Sequence, residues 1–321
     1  MEEHHWTVLA DIHPLLRPLA AKAATERSLA ELSAEEARAG IAARTALRAP
    51  GPAIDKVFEI TIPGSDAGIP VRVYQPRGAA GVVVAFHGGG WLMGNRDSFD
   101  AVCRHLAADS GLAVVNVDYR LAPEHPFPAA IDDAWAATRW VAERGAAHGL
   151  PARRLAVMGE SAGGNLAAVV CLLARERGAP EILAQALVYP ATDARQQAES
   201  LRTYAEGYLQ RSADVAHAFR TYALDHGVSP TDWRLSPLLA PSHADLPPAL
   251  VISAECDAIR DDGEAYAAKL AEAGVPALCV RYLGMPHTFY GMRGTVEAAA
   301  LAQRQVADML RAAVSSPAQI G

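Results

Sequence analysis

Gly159-Glu160-Ser161-Ala162-Gly163-Gly164 is the stretch whose reading decides the fold. It follows the short apolar run Leu155-Ala156-Val157-Met158 and precedes a helical pattern over residues 166–173. A strand, a sharp turn with serine at its apex and then a helix is the context that a G-x-S-x-G nucleophile elbow requires. The serine of such an elbow sits on a tight, strained turn. Glycines at 159 and 163 remove the Cβ atoms that would collide where strand meets helix. Alone, the motif reads equally well as a small-residue turn before a helix, and partners elsewhere in the chain decide between the two.

Outward from the elbow, the apolar rhythm sets the architecture. Val82-Val83-Val84-Ala85-Phe86 and residues 112–117 are short, continuously apolar runs, as expected for strands buried on both faces. Helical stretches over 99–108 and 129–141 lie after them, and further apolar runs follow at 186–189, 249–252 and 277–282, with a closing helix over 295–313. Strands alternating with helices predict a mostly parallel sheet covered on both faces. Residues 56–62 and 69–74 alternate apolar and polar and flank Pro63-Gly64-Ser65-Asp66-Ala67-Gly68, which predicts an antiparallel N-terminal edge. Between 189 and 248 the rhythm breaks into about sixty residues with helical character, including 213–224, too long for a structureless connection. That segment and the helices of residues 9–47, the last opened by a capping box at Ser33-Ala34-Glu35-Glu36, are expected to form a lid. The fold class is α/β, with N-terminal cap helices over 1–50, the first part of the core over 51–190, a cap insertion over 191–246 and the second part of the core over 247–321.

With 321 residues the chain is long enough for one large α/β domain with an appendage. A net charge of −7 with no basic cluster excludes nucleic acid and anionic membrane surfaces as expected partners. No run approaches the ~18 apolar residues of a membrane span. The acidic start, Met1-Glu2-Glu3, has no long apolar run after it, which argues against a secretory signal. Cys103, Cys171, Cys256 and Cys279 are scattered, without C-x-x-C spacing, and read as reduced, mostly buried thiols rather than a metal site or a disulfide frame. A cytoplasmic protein without metal or organic cofactor is expected, and association into a homodimer is left open.

A serine hydroxyl is a weak nucleophile until a base takes its proton, so an elbow demands a histidine and an acid. In G-x-S-x-G hydrolases these follow the serine in the order acid, then histidine. Asp257 sits just after one apolar run and His287 just after the next, at carboxyl ends of strands, the edge where open α/β sheets place their sites. Asp261 and Asp262 compete with Asp257 but fall at the start of a helix, where carboxylates stabilise the N-terminus. His4, His5 and His13 precede the sheet, and His217, His226 and His243 lie in the insertion. The fourth element is His87-Gly88-Gly89-Gly90-Trp91, directly after the first buried strand. Its glycines expose backbone N–H groups, the usual second source of oxyanion donors beside the N–H after the nucleophile, here Ala162. Nothing matches a phosphate-binding G-x-x-x-x-G-K-[ST] loop.

With these residues together, the chain resembles the hormone-sensitive-lipase-like esterases, the bacterial family IV lipolytic enzymes of the α/β-hydrolase superfamily. The resemblance runs from about residue 71 to the final helix. Besides the motifs above it rests on Asp118-Tyr119-Arg120-Leu121-Ala122-Pro123-Glu124-His125-Pro126-Phe127-Pro128 and Asp257-Ala258-Ile259-Arg260-Asp261. It implies a serine carboxylesterase acting on small-molecule esters of short to medium chain length through an acyl-enzyme, with a two-part helical cap. Ser161 is then the nucleophile, Asp257 the acid and His287 the base, and Gly89, Gly90 and Ala162 are the oxyanion donors. Trp91, Met93, Tyr208 and Leu209 are expected to face the substrate. An amide, lactone or carbamate as the cleaved bond, a lyase reaction and a non-catalytic small-molecule receptor are the alternatives. Three departures from the family pattern stand out: glutamate at 160 where aspartate is common, Asp-Ala-Ile-Arg-Asp-Asp for the usual Asp-Pro-Leu-Arg-Asp-Glu, and Thr288 where glycine commonly follows the histidine. None removes a reacting group.

Overall fold

A computed structural model describes residues 12–315 other than 47, 66 and 207. Its centre is an eight-stranded sheet of order β1-β2-β4-β3-β5-β6-β7-β8. The hairpin β1 (Lys56–Ile62) and β2 (Ile69–Gln75) forms the antiparallel edge, and β2 pairs antiparallel with β4 (Ala113–Val117). From β4 onward, through β3 (Val82–Phe86), β5 (Leu155–Glu160), β6 (Gln185–Val188), β7 (Ala249–Cys256) and β8 (Ala277–Pro286), every pairing is parallel. All residues of β3, β4 and β6 are buried, the polar Asn116 and Gln185 included, as their otherwise apolar runs predict.

Two apolar cores, one on each face, take up the helices. Helices α4 (Ala129–Arg144) and α5 (Ala162–Arg177) bury residues such as Ile131, Trp135, Leu166 and Leu172 in one core. Helices α3 (Asp100–Ser110) and α9 (Glu297–Ser315) fill the other with Leu106, Val306 and Leu310. Helix α8 (Arg260–Glu272) joins β7 to β8. Helix α3 runs two residues beyond the expected 108, to a stop at Gly111, whose φ of 70° is the left-handed C-cap that glycine accepts without strain.

Helices outside the strand-helix alternation come from two places in the chain. At the N-terminus lie α1 (Arg17–Thr25) and α2 (Ala34–Ala46), and the predicted capping box is formed: Ser33 Oγ accepts the Glu36 N–H at 3.1 Å and the Glu36 carboxylate accepts the Ser33 N–H at 2.8 Å. Between β6 and β7 lie the short α6 (Ser200–Thr203) and α7 (Ser212–Tyr222), with no strand among the described residues. The two parts are laced together. Arg211 donates to the carbonyls of Ala23, Ala24 and Glu26 at the end of α1, and Asp214 accepts the Leu29 N–H at 2.7 Å. No described helix is long and apolar enough to cross a membrane.

Candidate active site

The elbow is drawn by its neighbours. Ser161 has φ 56° and ψ −116°, and its N–H donates to the Val188 carbonyl of the adjacent strand at 2.8 Å. A Cβ at Gly159 would lie 1.9 Å from the Gly163 carbonyl oxygen, and one at Gly163 would lie 2.1 Å from the Phe86 carbonyl oxygen. Only glycine fits either place. Asn165, one turn into α5, accepts no substitute lightly: its amide donates to the carbonyls of Ala191 and Leu235 at 2.7 and 2.8 Å, joining the elbow helix to the insertion.

Strand register brings the other two groups to the serine. Beyond a register shift at Ala254 and Cys256, β7 and β8 pair Cys256 with Pro286, so the next residues, Asp257 and His287, leave neighbouring strand ends side by side. The Asp257 carboxylate contacts His287 Nδ1 at 2.7 Å, and His287 Nε2 lies 3.0 Å from Ser161 Oγ. The second Asp257 oxygen accepts the Ile259 N–H at 2.9 Å, which fixes the carboxylate's rotation. Ser161, Asp257 and His287 are 7%, 1% and 3% exposed, so this hydrogen-bond chain lies almost wholly out of water. The competing acids do other work. Asp261 accepts the Ser200 N–H at 2.8 Å and pairs with Arg260. Asp262 is buried, and its carboxyl is pushed up from 3.8 by burial and by the Asp193 charge beside it.

The glycine loop begins beside the serine, where a Cβ at Gly88 would lie 3.5 Å from the Ser161 Cβ. Gly89, Gly90 and Trp91 have φ of 122°, 60° and 60°. Among the described residues no turn or loop hydrogen bond uses the N–H of Gly89, Gly90 or Ala162, and Ala162 opens a helix, where the first N–H groups are free. His87 is buried, which pulls its imidazole below 6.5 toward the neutral form. Its Nδ1 contacts the Gly88 carbonyl at 2.8 Å, its own carbonyl accepts Tyr119 Oη at 2.8 Å, and the two rings stack at 4.2 Å.

The expected substrate-facing residues divide. Trp91 is 1% exposed, stacked on Tyr222 at 4.7 Å and packed on Phe219, contacts that fasten the glycine loop to α7. Tyr208 is also buried, edge-on to Tyr204, and Leu209 packs on the same core. Met93 is half-buried, with its N–H on the Gly89 carbonyl at 2.9 Å. Sequence reasoning passed over Tyr189. It follows β6 at the carboxyl edge, has φ 34°, sets its ring 4.5 Å from that of His287 and donates from Oη to the Glu160 carboxylate at 2.8 Å. Burial pushes the Glu160 carboxyl up, opposed first by that hydrogen bond and then by Arg48 and His287. Its place at a strand end beside the elbow was the available signal.

The family described as having the alpha/beta hydrolase fold matches residues 83–291. The carboxylic ester hydrolase LipN of Mycobacterium tuberculosis is 42% identical over 289 residues, covering 86% of this chain and 77% of its own. An ethyl acetate hydrolase of Pseudomonas putida is 39% identical over 72% of this chain and 74% of its own. Among solved structures, a thermostable esterase from Pseudomonas putida superposes with a TM-score of 0.90 at 35% identity, over 96% of this chain and 99% of that one. On its fold, its strand-end geometry and these relatives, the chain belongs to the α/β-hydrolase family, in the hormone-sensitive-lipase-like branch that its motifs resemble.

Proposed function

We propose that the protein is a serine carboxylesterase that hydrolyses short- to medium-chain esters of small alcohols and phenols through an acyl-enzyme. The observation that carries this reading is the chain from Asp257 through His287 to Ser161, with contacts of 2.7 and 3.0 Å. In it, Ser161 Oγ attacks the ester carbonyl while His287 Nε2 takes the proton. Negative charge gathers on the carbonyl oxygen, where the N–H groups of Gly89, Gly90 and Ala162 receive it. By analogy with donors removed from other hydrolases, each is worth about 2.7–4 kcal/mol. His287 hands its proton to the leaving alcohol, and a water then enters by the same path to release the acid. Asp257 accepts from Nδ1–H throughout, which holds the imidazole tautomer with Nε2 facing the serine and stabilises the imidazolium as it forms.

The near-complete burial of the triad beneath a two-part cap favours small acyl groups over long ones, because a long chain needs an open trough. Cys103, Cys171 and Cys279 are free thiols, which suits a reducing compartment, so the reading places the enzyme in the cytoplasm. A chain-length series of p-nitrophenyl esters, run beside an anilide of the same acyl group, tests both parts. Turnover should peak at short to medium chains and vanish in Ser161→Ala. Persistence in that variant removes the mechanism, a peak at long chains removes the size preference, and faster anilide cleavage makes the enzyme an amidase.

A further inference from the structure

Helix α2 buries only Ala37. A cleft of 710 Å³ separates much of its length from the loops after β3 and β4, with Ile41, Ala42 and Thr45 on one wall and Gly94, Asp118 and Tyr119 on the other. Arg38 crosses that gap. Its Nε donates to the Leu92 carbonyl at 3.0 Å and its Nη2 to the Ala122 carbonyl at 3.0 Å, while both terminal nitrogens grip the Glu124 carboxylate at 2.8 and 2.6 Å.

The two carbonyls belong to the glycine loop's own hydrogen-bond frame. The Ala122 N–H donates to the Trp91 carbonyl at 2.9 Å, and the Leu92 and Met93 N–H groups donate to the Gly89 carbonyl at 3.1 and 2.9 Å. Arg38 therefore closes the outer side of a run of three positive-φ residues, one of which, Trp91, is not glycine. A non-glycine residue in that region is strained and persists only where its surroundings over-determine it. The second clamp is the Trp91 ring, held by Tyr222 and Phe219 of α7. Both halves of the cap thus hold the same loop, and Arg211 and Asp214 join the halves. Glu124 is half-exposed, so the ion pair adds little to global stability. The planar fork fixes direction, and a lysine, with three donors on one nitrogen, cannot reproduce four contacts made from three separate nitrogens.

We infer that Arg38 is a positioning residue through which docking of the N-terminal cap sets the oxyanion-binding geometry of Gly89 and Gly90. This rests on the esterase reading above. The experiment compares the full chain with Arg38→Ala, Arg38→Lys, Arg44→Ala and Ser161→Ala. Arg44 lies on the same helix and pairs with the exposed Glu26, 3.9 Å away. Turnover of p-nitrophenyl butyrate is measured per mole of folded protein, beside the inhibition constant of an alkyl trifluoromethyl ketone. That ketone adds the Ser161 oxygen to its carbonyl carbon; the serine proton passes to His287 and the charge rests on the former carbonyl oxygen, where the loop must hold it.

Loosening the loop lowers kcat about tenfold or more, leaves KM within about threefold and weakens the ketone by the same factor as kcat. Arg38→Lys shares the loss and Arg44→Ala does not. A kcat and ketone affinity unchanged in Arg38→Ala overturn the inference, as does a loss confined to KM or to thermal stability. Should Arg38→Ala fail to fold, Arg38→Lys decides by the same two ratios. If Ser161→Ala keeps its turnover, the functional reading fails first; if it loses turnover while both Arg38 variants behave as wild type, only the role of Arg38 falls.

Discussion

Adding one methyl group at Gly163 tests whether the elbow's tightness sets both stability and turnover. A Cβ there would lie 2.1 Å from the Phe86 carbonyl oxygen and 2.5 Å from that of His87. A carbon and a carbonyl oxygen rest at about 3.3 Å or more, so the end of β3 and the start of α5 must separate by roughly 1 Å. On one side of that gap the chain leads straight into the glycine loop, and on the other sits Ser161. Overpacking of this kind costs about 1–3 kcal/mol, a fall in Tm of several degrees for a chain of this size. A displacement of about 1 Å between reacting groups costs on the order of a hundredfold in rate. The assay is kcat/KM with p-nitrophenyl butyrate beside thermal unfolding of Gly163→Ala. Gly40→Ala is the control, since its Cβ meets only the Arg44 guanidinium, at 3.8 and 4.0 Å, inside helix α2. It should leave turnover alone and favour its helix by about 0.5–1 kcal/mol. Gly163→Ala with wild-type Tm and turnover within threefold would refute the packing account of the elbow.

Asp262 gives a pH signature. Its folded-state pKa is raised above 3.8 by burial and by Asp193, so the stability it confers is present below about 4 and is lost as pH rises toward the folded value. Asp262→Asn lacks that loss, so its Tm measured against wild type should climb between pH 4 and 7; a difference flat in pH contradicts the assignment. Thr288 has φ 70° and ψ 0°, the left-handed conformation, and its side chain is half-exposed. Thr288→Gly should relieve up to about 1 kcal/mol and raise Tm slightly, and a lower Tm would mean that the side chain contributes more than the strain costs.

Much of this was legible because the informative signals were local. Five parallel strands, β3 to β7, announced themselves as largely apolar runs; the elbow, the glycine loop and Asp257 each sat at the end of one, and His287 at the end of a sixth, β8. The full extent of β8 was less visible. It is a sheet edge whose outer residues are exposed, and it runs on to Pro286 through pairing with Cys256 that no run of side chains encodes. Trp91 illustrates the limit at the site. Its position beside the glycines suggested a wall of the pocket, but which way it turns depends on Tyr222, 131 residues later, an aromatic among the many in helical segments. Arg38 was hidden for the same reason: on a helix rich in charge, its partners are 54 and 84 residues away.

The three departures from the family pattern lie close to the reacting groups yet outside them. Residue 160 ends β5 opposite Val188, and Tyr189 is the next residue along that neighbouring strand. A glutamate's extra methylene, about 1.5 Å of reach, carries its carboxylate to the Tyr189 hydroxyl at 2.8 Å. Without it, a fully buried phenol would stand unpaired beside His287, at a cost of about 1–3 kcal/mol. Asp262 fills the place of a longer acid inside a crowded carboxylate cluster, where its own charge is disfavoured. Thr288 holds, with strain, the left-handed turn that glycine would hold freely. At residue 160 a side chain, that of Tyr189, meets the change. At Gly159 and Gly163, by contrast, the nearest neighbours are backbone carbonyls, which have no side chain to move aside.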